Sequence, residues 1–388
     1  MPTQSQTSIT STCFKDSKPH YAILDGLRGV AALFVLIYHV MEGFAFVGNK
    51  PTIEGMNHGY LAVDFFFILS GFVIGYAYDD RLGKTMSTWN FFKRRLIRLH
   101  PMVAIGGIVG AVCFLIQGSE MWDGTHVALS AVILSLLCTL FFIPAIPGCN
   151  YEVRGNGEAF PLNGPAWSLF FEYIGNILYA VFIHRLSTKA LRVLVALLGF
   201  GVLLYTTLSG EPSFGVGWAM ADYGFLKGLL RMTFPFTMGL LLSRIFIRRE
   251  IKGAFPLCSV VLLLLFIVPE LETDGFISLN GLYESFCIII LFPILVWVGA
   301  SGSLKGKWTG RICKFVGDIS FPLYITHYPI MYLFYAWLKD NGITQFSDAW
   351  IVSILVVVIN ILLAFVYLKV YDMPLRKALA RRFLFSRK

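Results

Sequence analysis

The chain has 388 residues, of which 56% are hydrophobic and only 14% are charged. A soluble protein carries about a quarter charged residues, and the apolar residues here recur in runs of about 20, the length that crosses a bilayer. These features exclude a water-soluble enzyme, a fibrous protein and a disordered chain. The net charge of +9 indicates no nucleic-acid partner, because the basic residues are scattered through short loops between the apolar runs, as membrane topology requires.

The N-terminus and the cysteines exclude further classes. Residues 1–20 form a polar tail without the apolar core of a signal peptide, so the first apolar run is expected to remain as a span. The seven cysteines show no paired spacing, which predicts neither a disulfide framework nor a zinc site. We expect no metal and no tightly bound cofactor.

The apolar runs predict an all-α integral membrane protein. Eleven candidates lie near 22–46, 58–78, 101–117, 126–146, 165–184, 191–209, 225–247, 254–270, 281–300, 316–338 and 349–371. Basic residues concentrate in the N-terminal tail, the loop 79–100, the loops near 185–192, 244–252 and 305–314, and the segment 373–388. The positive-inside rule places all of these in the cytoplasm.

The remaining loops set the number of spans. Loops 118–125, 209–222 and 271–280 contain no Lys or Arg and are expected outside. The alternation fails only around 118–163, so parity favours about ten spans, with 126–146, or part of the Pro/Gly-rich stretch FFIPAIPGCN after it, entering the membrane and returning where protein buries it. This predicts three parts: a polar tail over 1–20, a multi-pass membrane domain over 21–372 and a basic cytoplasmic tail over 373–388, with both termini in the cytoplasm.

The first span carries a polar stripe. Arg28 and His39 are eleven residues apart, which at 100° per residue places them on one face about 16 Å apart along the axis. Glu42 extends the same face. An ionisable side chain inside a membrane is a functional candidate by default, the structural alternative being a polar contact between helices.

The second and third spans add further candidates. Asp64 in VDFFFILSGF requires a partner, for which His39 or an arginine of another span is the hypothesis, whereas Ser70 lies beside a glycine that permits close helix packing. Arg94, Arg95 and Arg98 precede the third span in FFKRRLIRLHP. They either anchor the span or bind the phosphates of a cytosolic, nucleotide-like donor through bidentate hydrogen bonds. Pro101 is expected in the first turn of the helix that follows them.

Later spans contain the remaining candidates. In GPAWSLFFEYIGNILY, Ser168 and Glu172 share a helix face and Trp167 is expected at the membrane interface, where tryptophan usually acts as an anchor. Arg231 lies several residues inside RMTFPFTMG. In ISFPLYITHYPI, Tyr324 and His327 share a face, and a kink is expected at Pro329. The residues nearer span ends, which are expected to be solvated, are Asp222, Lys227, Glu284 and Asp318.

These segments together resemble one known family. LDGLRGVAALFVLIYH, VDFFFILSGF, FFKRRLIRLHP, PAWSLFFEYIGNILY and ISFPLYITHYPI are similar, in this order, to the motifs of the membrane-bound acyltransferase-3 proteins, which O-acylate carbohydrates. The resemblance covers nearly the whole chain and implies ten spans. One departure is Phe170-Phe171 before Glu172, where the family often has Ser-Val. Another is that a stand-alone member, without an appended soluble hydrolase-like domain, is expected.

The resemblance implies roles for several residues. It implies that Arg28 and His39 are essential to transfer, that Arg95 and Arg98 contact the CoA part of the donor, and that Trp167 and Glu172 border the active cavity. Combined with the residue patterns, the predicted sites are three sets: catalytic His39, Arg28, Glu172 and Asp64; donor-binding Arg94, Arg95 and Arg98; and cavity-lining Ser70, Trp167, Ser168, Arg231, Tyr324 and His327.

The leading hypothesis is an inner-membrane acyltransferase with its donor side in the cytoplasm. It would move an acyl group from acyl-CoA, with acetyl-CoA the expected donor, to a hydroxyl of a cell-surface polysaccharide or glycolipid. His39 would act as a general base, because imidazole exchanges protons near neutral pH, or as a covalent acyl carrier. The alternative is a secondary transporter or flippase, although no inverted repeat is visible. A structural scaffold would leave the intramembrane charges unexplained.

Overall fold

The protein is built almost entirely from α-helices. The computed structural model describes residues 18, 21–271, 275–304 and 306–384, so most of the predicted tail over 1–20 lies outside the described residues. The helices are α1 (Ala22–Val47), α2 (Ala62–Tyr78), α3 (Thr88–Ile116), α4 (Leu129–Leu140), α5 (Ala166–Val181), α6 (Thr188–Leu208), α7 (Gly224–Ile245), α8 (Ala254–Phe266), α9 (Leu279–Phe286), α10 (Phe292–Ser301), α11 (Lys307–Thr326), α12 (Tyr328–Asp340), α13 (Phe346–Val366) and α14 (Met373–Phe383). Two-residue strands β1 (Ile251–Lys252) and β2 (Gly302–Ser303) pair in parallel.

The prediction of an all-α membrane protein is confirmed. Among the described residues, eight helical segments are long and apolar enough to cross a bilayer: Ala22–Val47, Gly59–Tyr78, Thr88–Ile116, Ala166–Arg185, Thr188–Leu208, Gly224–Ile245, Leu279–Ser301 and Phe346–Phe383. Their outward faces expose large apolar side chains such as Ile354, Leu355 and Leu362, as a lipid-facing surface requires. The total of ten spans and the cytoplasmic position of both termini stay predictions.

Two of the predicted apolar runs form short helices. α4 has 12 residues and α8 has 13, which correspond to lengths of about 18 to 20 Å at 1.5 Å per residue. The hydrocarbon core is about 30 Å thick. Because α8 is about as short as α4, length alone does not distinguish a segment that crosses from one that returns, and the re-entrant path of 126–146 stays a prediction.

Proline interrupts one helix and is accommodated in another. α11 ends at Thr326 and α12 starts at Tyr328, with Pro329 in its first turn, so the predicted kink is confirmed. The prediction for Pro101 is wrong: it lies in the interior of α3, which starts at Thr88. Ser87 caps the start of α3, because its hydroxyl accepts a hydrogen bond from a backbone N–H. The arginine-rich segment therefore lies within the same helix as the span.

Glycines bring the helices that carry the site into close contact. A Cβ at Gly71 of α2 would lie 2.0 Å from the carbonyl oxygen of Phe236 in α7, and a Cβ at Gly29 of α1 would lie 2.2 Å from that of Val316 in α11. Only glycine permits such backbone approach. The glycine contacts therefore fix α2 against α7 and α1 against α11.

The prediction that Glu284 is solvated is wrong. Glu284 is only 1% exposed. The Tyr60 hydroxyl donates a hydrogen bond to it, and the backbone N–H of Phe214 donates another over 2.9 Å. Glu284 therefore fixes the loop between α6 and α7 to α9.

Candidate active site

Two cavities flank the polar stripe of α1. We call them the Arg28 cavity and the His39 cavity, each after one α1 residue that lines it. The Arg28 cavity lies toward the basic end of α3. The His39 cavity lies toward the loops that follow α3 and α6, since Trp122, Ser213 and Trp218 line it. These are among the loops predicted to face outside.

The Arg28 cavity has a volume of about 100 Å³ and is rich in arginine. Its polar lining consists of Arg28, Ser70, Arg95, Arg98, Ser168, Glu172, Ser320 and Tyr324. The described residues therefore bring together two of the three predicted donor-binding arginines, whereas Arg94 does not line this cavity.

Arg28 is held by its own helix and by α11. Its Nε donates a hydrogen bond to Ser320 Oγ over 2.9 Å, and its Nη2 lies 3.1 Å from Asp25 Oδ1. The contact at Gly29 places α11 close enough for this hydrogen bond. Arg28 thus presents a fixed positive charge in the cavity wall.

Glu172 connects three helices at the same cavity. Its Oε1 lies 2.5 Å from Nη2 of Arg95 and accepts a hydrogen bond from Ser70 Oγ over 2.6 Å. The predicted position of Glu172 and Ser70 in a cavity wall is therefore what the structure shows. Glu172 pairs with Arg95 as Asp25 pairs with Arg28, and Arg98 adds a third guanidinium group to the wall, so this group of side chains carries a net positive charge that can hold an anionic ligand.

His39 is oriented by an adjacent carboxylate. Its Nδ1 lies 2.7 Å from Glu42 Oε2, and the same oxygen accepts hydrogen bonds from the hydroxyls of Tyr335, over 3.0 Å, and Tyr328, over 3.2 Å. A carboxylate only accepts, so His39 Nδ1 carries the proton, and in the neutral ring Nε2 presents a lone pair. This is the arrangement of a general base with an orienting acid.

The His39 cavity is large and has aromatic walls. Its volume is about 420 Å³. Rings from seven parts of the chain line it: Tyr38, Phe46, Tyr60, Trp122, Trp167, Trp218, Tyr324, Tyr328, Tyr332 and Tyr335. Such a cavity suits a ligand with both apolar faces and polar edges, as a pyranose ring has. Trp167 lies in the wall and is 8% exposed, at a cavity as the resemblance implied.

The two cavities lie back to back. Val63 and Tyr324 line both of them, and the Tyr324 hydroxyl shares a 2.7 Å hydrogen bond with Ser168 Oγ. Ser168 itself belongs to the Arg28 cavity. A thin wall that contains one tyrosine therefore separates the group of arginines from the oriented imidazole.

Asp64 forms a buried ion pair. Its Oδ2 lies 3.0 Å from Nη2 of Arg231, and both residues are at most 1% exposed. Of the two partners considered, the structure selects the arginine, because His39 pairs with Glu42. Arg231 lines the His39 cavity, whereas Asp64 lines neither cavity; the structure thus shows Asp64 as the counter-ion of Arg231, and its predicted catalytic role stays a prediction.

The cavity-lining prediction for His327 is also corrected. His327 is 1% exposed and lines neither cavity. Its Nδ1 donates to the carbonyl of Tyr324 over 2.9 Å, and its ring centroid lies 5.2 Å from that of His39. It therefore packs behind His39 at the break between α11 and α12.

Sequence patterns did not single out the part of the cavity wall formed by the connector 141–165. There Glu158 accepts hydrogen bonds from the Tyr332 hydroxyl and from Asn156 Nδ2, the latter over 2.7 Å. Burial raises the pKa of the Glu158 carboxyl to about 7. Tyr328, Tyr332 and Tyr335 of α12 line the same cavity, and their spacing of four and three residues was a signal that could have identified this face.

No metal centre emerges from the part of the chain that is described. Within it, no group of three or more His, Cys, Asp or Glu side chains is arranged to hold a metal ion. The described cysteines at 113, 138, 149, 258, 287 and 313 are all free thiols.

Comparisons with known proteins point to one family. A family model described as an acyltransferase domain matches residues 21–369. Protein 2 in the picA locus of Rhizobium radiobacter is 36% identical over 176 residues, which is 44% of this chain and 85% of that protein. No solved structure matches the chain.

Two longer relatives come from Staphylococcus aureus. A putative O-acetyltransferase of strain COL is 24% identical over 337 residues, which is 82% of this chain and 52% of that protein. The O-acetyltransferase OatA of strain NCTC 8325 is 24% identical over 379 residues, which is 93% of this chain and 58% of that protein. The chain thus spans little more than half the length of these O-acetyltransferases.

Proposed function

Because the chain belongs to the acyltransferase domain family, which residues 21–369 match, we propose that it is an integral membrane O-acetyltransferase. The family predicted from the sequence motifs is confirmed by this match. The donor, the acceptor and the role of His39 are part of the proposal. The observation that carries it is the pair of cavities that meet at Val63 and Tyr324.

The Arg28 cavity suits the donor. Arg28 and Arg98 would supply guanidinium groups for the phosphates of acyl-CoA, and the neighbouring basic loops support a cytoplasmic position for this cavity, where acyl-CoA is found. The thioester end would extend toward Ser168 and Tyr324. Acetyl-CoA is the expected donor, since the named relatives are O-acetyltransferases.

The His39 cavity suits a sugar hydroxyl of a cell-surface polysaccharide or glycolipid. His39 Nε2 would take the hydroxyl proton as the oxygen attacks the thioester carbonyl, while Glu42 stabilises the resulting imidazolium. The new C–O bond forms, the C–S bond breaks, and the CoA thiolate takes up a proton. In the alternative relay, a side chain at the wall carries the acyl group between the two cavities.

The test uses purified protein in detergent with radiolabelled acetyl-CoA and a glycan acceptor. Wild type is compared with His39→Ala and with the matched control His126→Ala, whose imidazole is exposed on a loop. We expect wild type and the control to release CoA. The His39→Ala protein should bind acetyl-CoA but release no CoA. Label retained on the wild-type chain would favour the relay, and acceptor-dependent release without label would favour direct transfer. Failure of all three proteins to bind or consume acyl-CoA would refute the proposal and favour a transporter.

A further inference from the structure

The His39 cavity has an unbalanced set of charges. Three carboxyl groups line it, those of Glu42, Glu158 and Glu270, whereas Arg231 is the only Lys or Arg among the described lining residues. Arg231 already pairs with Asp64 over 3.0 Å. The charge of Arg231 is therefore balanced by Asp64, and of the three carboxyl groups Glu42 pairs with His39 Nδ1 over 2.7 Å, which leaves carboxyl groups in excess in the cavity wall.

The hydrogen-bond partners of Glu158 are neutral side chains, so they do not compensate its charge. Glu158 accepts from the neutral side chains of Tyr332 and Asn156. The nearby Arg154 lies over the Tyr332 ring, 3.7 Å from its centroid, and is not among the lining residues. Glu42 accepts from His39 and two tyrosines.

We propose that the His39 cavity selects acceptor sugars without negative charge and rejects uronates and other anionic sugars. This inference rests on the proposed function and adds the charge class of the acceptor. An anion in the cavity would face three carboxyl groups without a free cation, and like charges enclosed together at low dielectric repel strongly. A neutral sugar instead meets aromatic faces for its C–H groups and carboxylates that accept from its hydroxyls.

The choice of probe isolates charge from shape. Glucuronamide and glucuronate differ only in an amide against a carboxylate, so they offer the same ring hydroxyls to His39. CoA release is measured with each at pH 8, above the pKa of about 7 to which burial raises the Glu158 carboxyl. We expect kcat/KM for glucuronamide to exceed that for glucuronate at least about tenfold.

Two variants test the origin of the preference. Glu158→Gln removes one cavity charge, and Glu120→Gln makes the same change on an exposed loop. We expect Glu158→Gln to reduce the ratio severalfold by improving glucuronate, and Glu120→Gln to leave it unchanged.

The outcomes separate this inference from the proposed function. Equal use of glucuronate and glucuronamide, with normal CoA release, would overturn the charge selection and leave acyl transfer intact. A preference for the amide that both variants keep unchanged would also overturn it, because the cavity carboxyl would then play no part. Absence of CoA release with every acceptor, together with a failure to bind acetyl-CoA, would refute the proposed function itself.

Discussion

Glu42→Gln is expected to abolish most of the turnover without weakening donor binding. The carboxylate accepts the Nδ1 proton of His39 over 2.7 Å and accepts from Tyr328 and Tyr335. A glutamine keeps the size of the side chain and one acceptor oxygen, so the tyrosine contacts can persist. What it removes is the negative charge that fixes the proton on Nδ1 and stabilises the imidazolium.

The magnitude follows from that single contact. A hydrogen bond to a charged group contributes about 1.5–3 kcal/mol, and each 1.36 kcal/mol in the barrier changes the rate tenfold. The turnover number should therefore fall roughly 10- to 150-fold. If the amide N–H donates to Nδ1 instead, the proton moves to Nε2 and the base is lost, which gives a larger decrease.

The assay is steady-state CoA release at saturating acetyl-CoA, combined with the Kd for CoA from calorimetry. Glu54→Gln is the matched control, since Glu54 is exposed and pairs with a lysine of the same loop over 2.9 Å. A Glu42→Gln protein that binds CoA normally and retains more than about a third of the wild-type turnover would refute the orienting role of Glu42 and weaken that of His39 as base.

Three further changes have defined outcomes. Arg98→Ala should raise the Kd for CoA about 10- to 100-fold, by loss of a charge-assisted contact to phosphate, with turnover at saturation little changed; Lys377→Ala, which lies outside the Arg28 cavity, should leave Kd unchanged. Arg231→Met should destabilise the protein by about 3–5 kcal/mol, because it leaves the Asp64 carboxylate buried without its counter-ion, and Asp64→Asn in the same chain should restore part of the loss. Glu158→Gln should raise Tm at pH 8 but not at pH 4.5, because burial raises the pKa of this carboxyl from 4.5 to about 7. Ionisation of Glu158 therefore lowers the free energy of unfolding by at most about 3 kcal/mol above pH 7, and it has no effect below pH 4.5.

Each of these three predictions would be contradicted by a specific result. An unchanged Kd in Arg98→Ala would remove Arg98 from the donor site. The stability of the double variant with Asp64→Asn and Arg231→Met is measured by thermal unfolding in detergent. If it is no more stable than Arg231→Met alone, the unpaired charge of Asp64 is not the cause of the destabilisation. For Glu158→Gln, equal Tm gains at both pH values would exclude ionisation as their source.

Helix periodicity predicted the features that lie along single helices. The spacing of Arg28, His39 and Glu42 on α1 placed them on one stripe, and the structure confirms the contact between His39 and Glu42. The apolar runs predicted most of the long helices because about 20 apolar residues have few alternatives in a chain of this composition.

Contacts between helices were beyond the same reasoning. Periodicity shows which face Asp64 occupies but not which helix packs there, so Arg231 was one candidate partner among several. Pro101 was misplaced because the arginines before it look like a loop, whereas they form the polar first turns of a continuous helix. Glu158 was missed because a polar connector has no period, and its burial depends on how the chain folds over the His39 cavity.

The buried pair of Asp64 and Arg231 also affects the insertion of the nascent chain into the membrane. The partners are separated by 167 residues, and a ribosome adds about 5–20 residues per second. Asp64 therefore enters the membrane about 8 to 33 seconds before its counter-ion has been synthesised. During that interval α2 is a poor span, which makes the nascent chain dependent on whatever shields the carboxyl until α7 arrives. Chains that terminate between α2 and α7 should consequently be cleared by membrane proteases, whereas chains that end after α7 should persist.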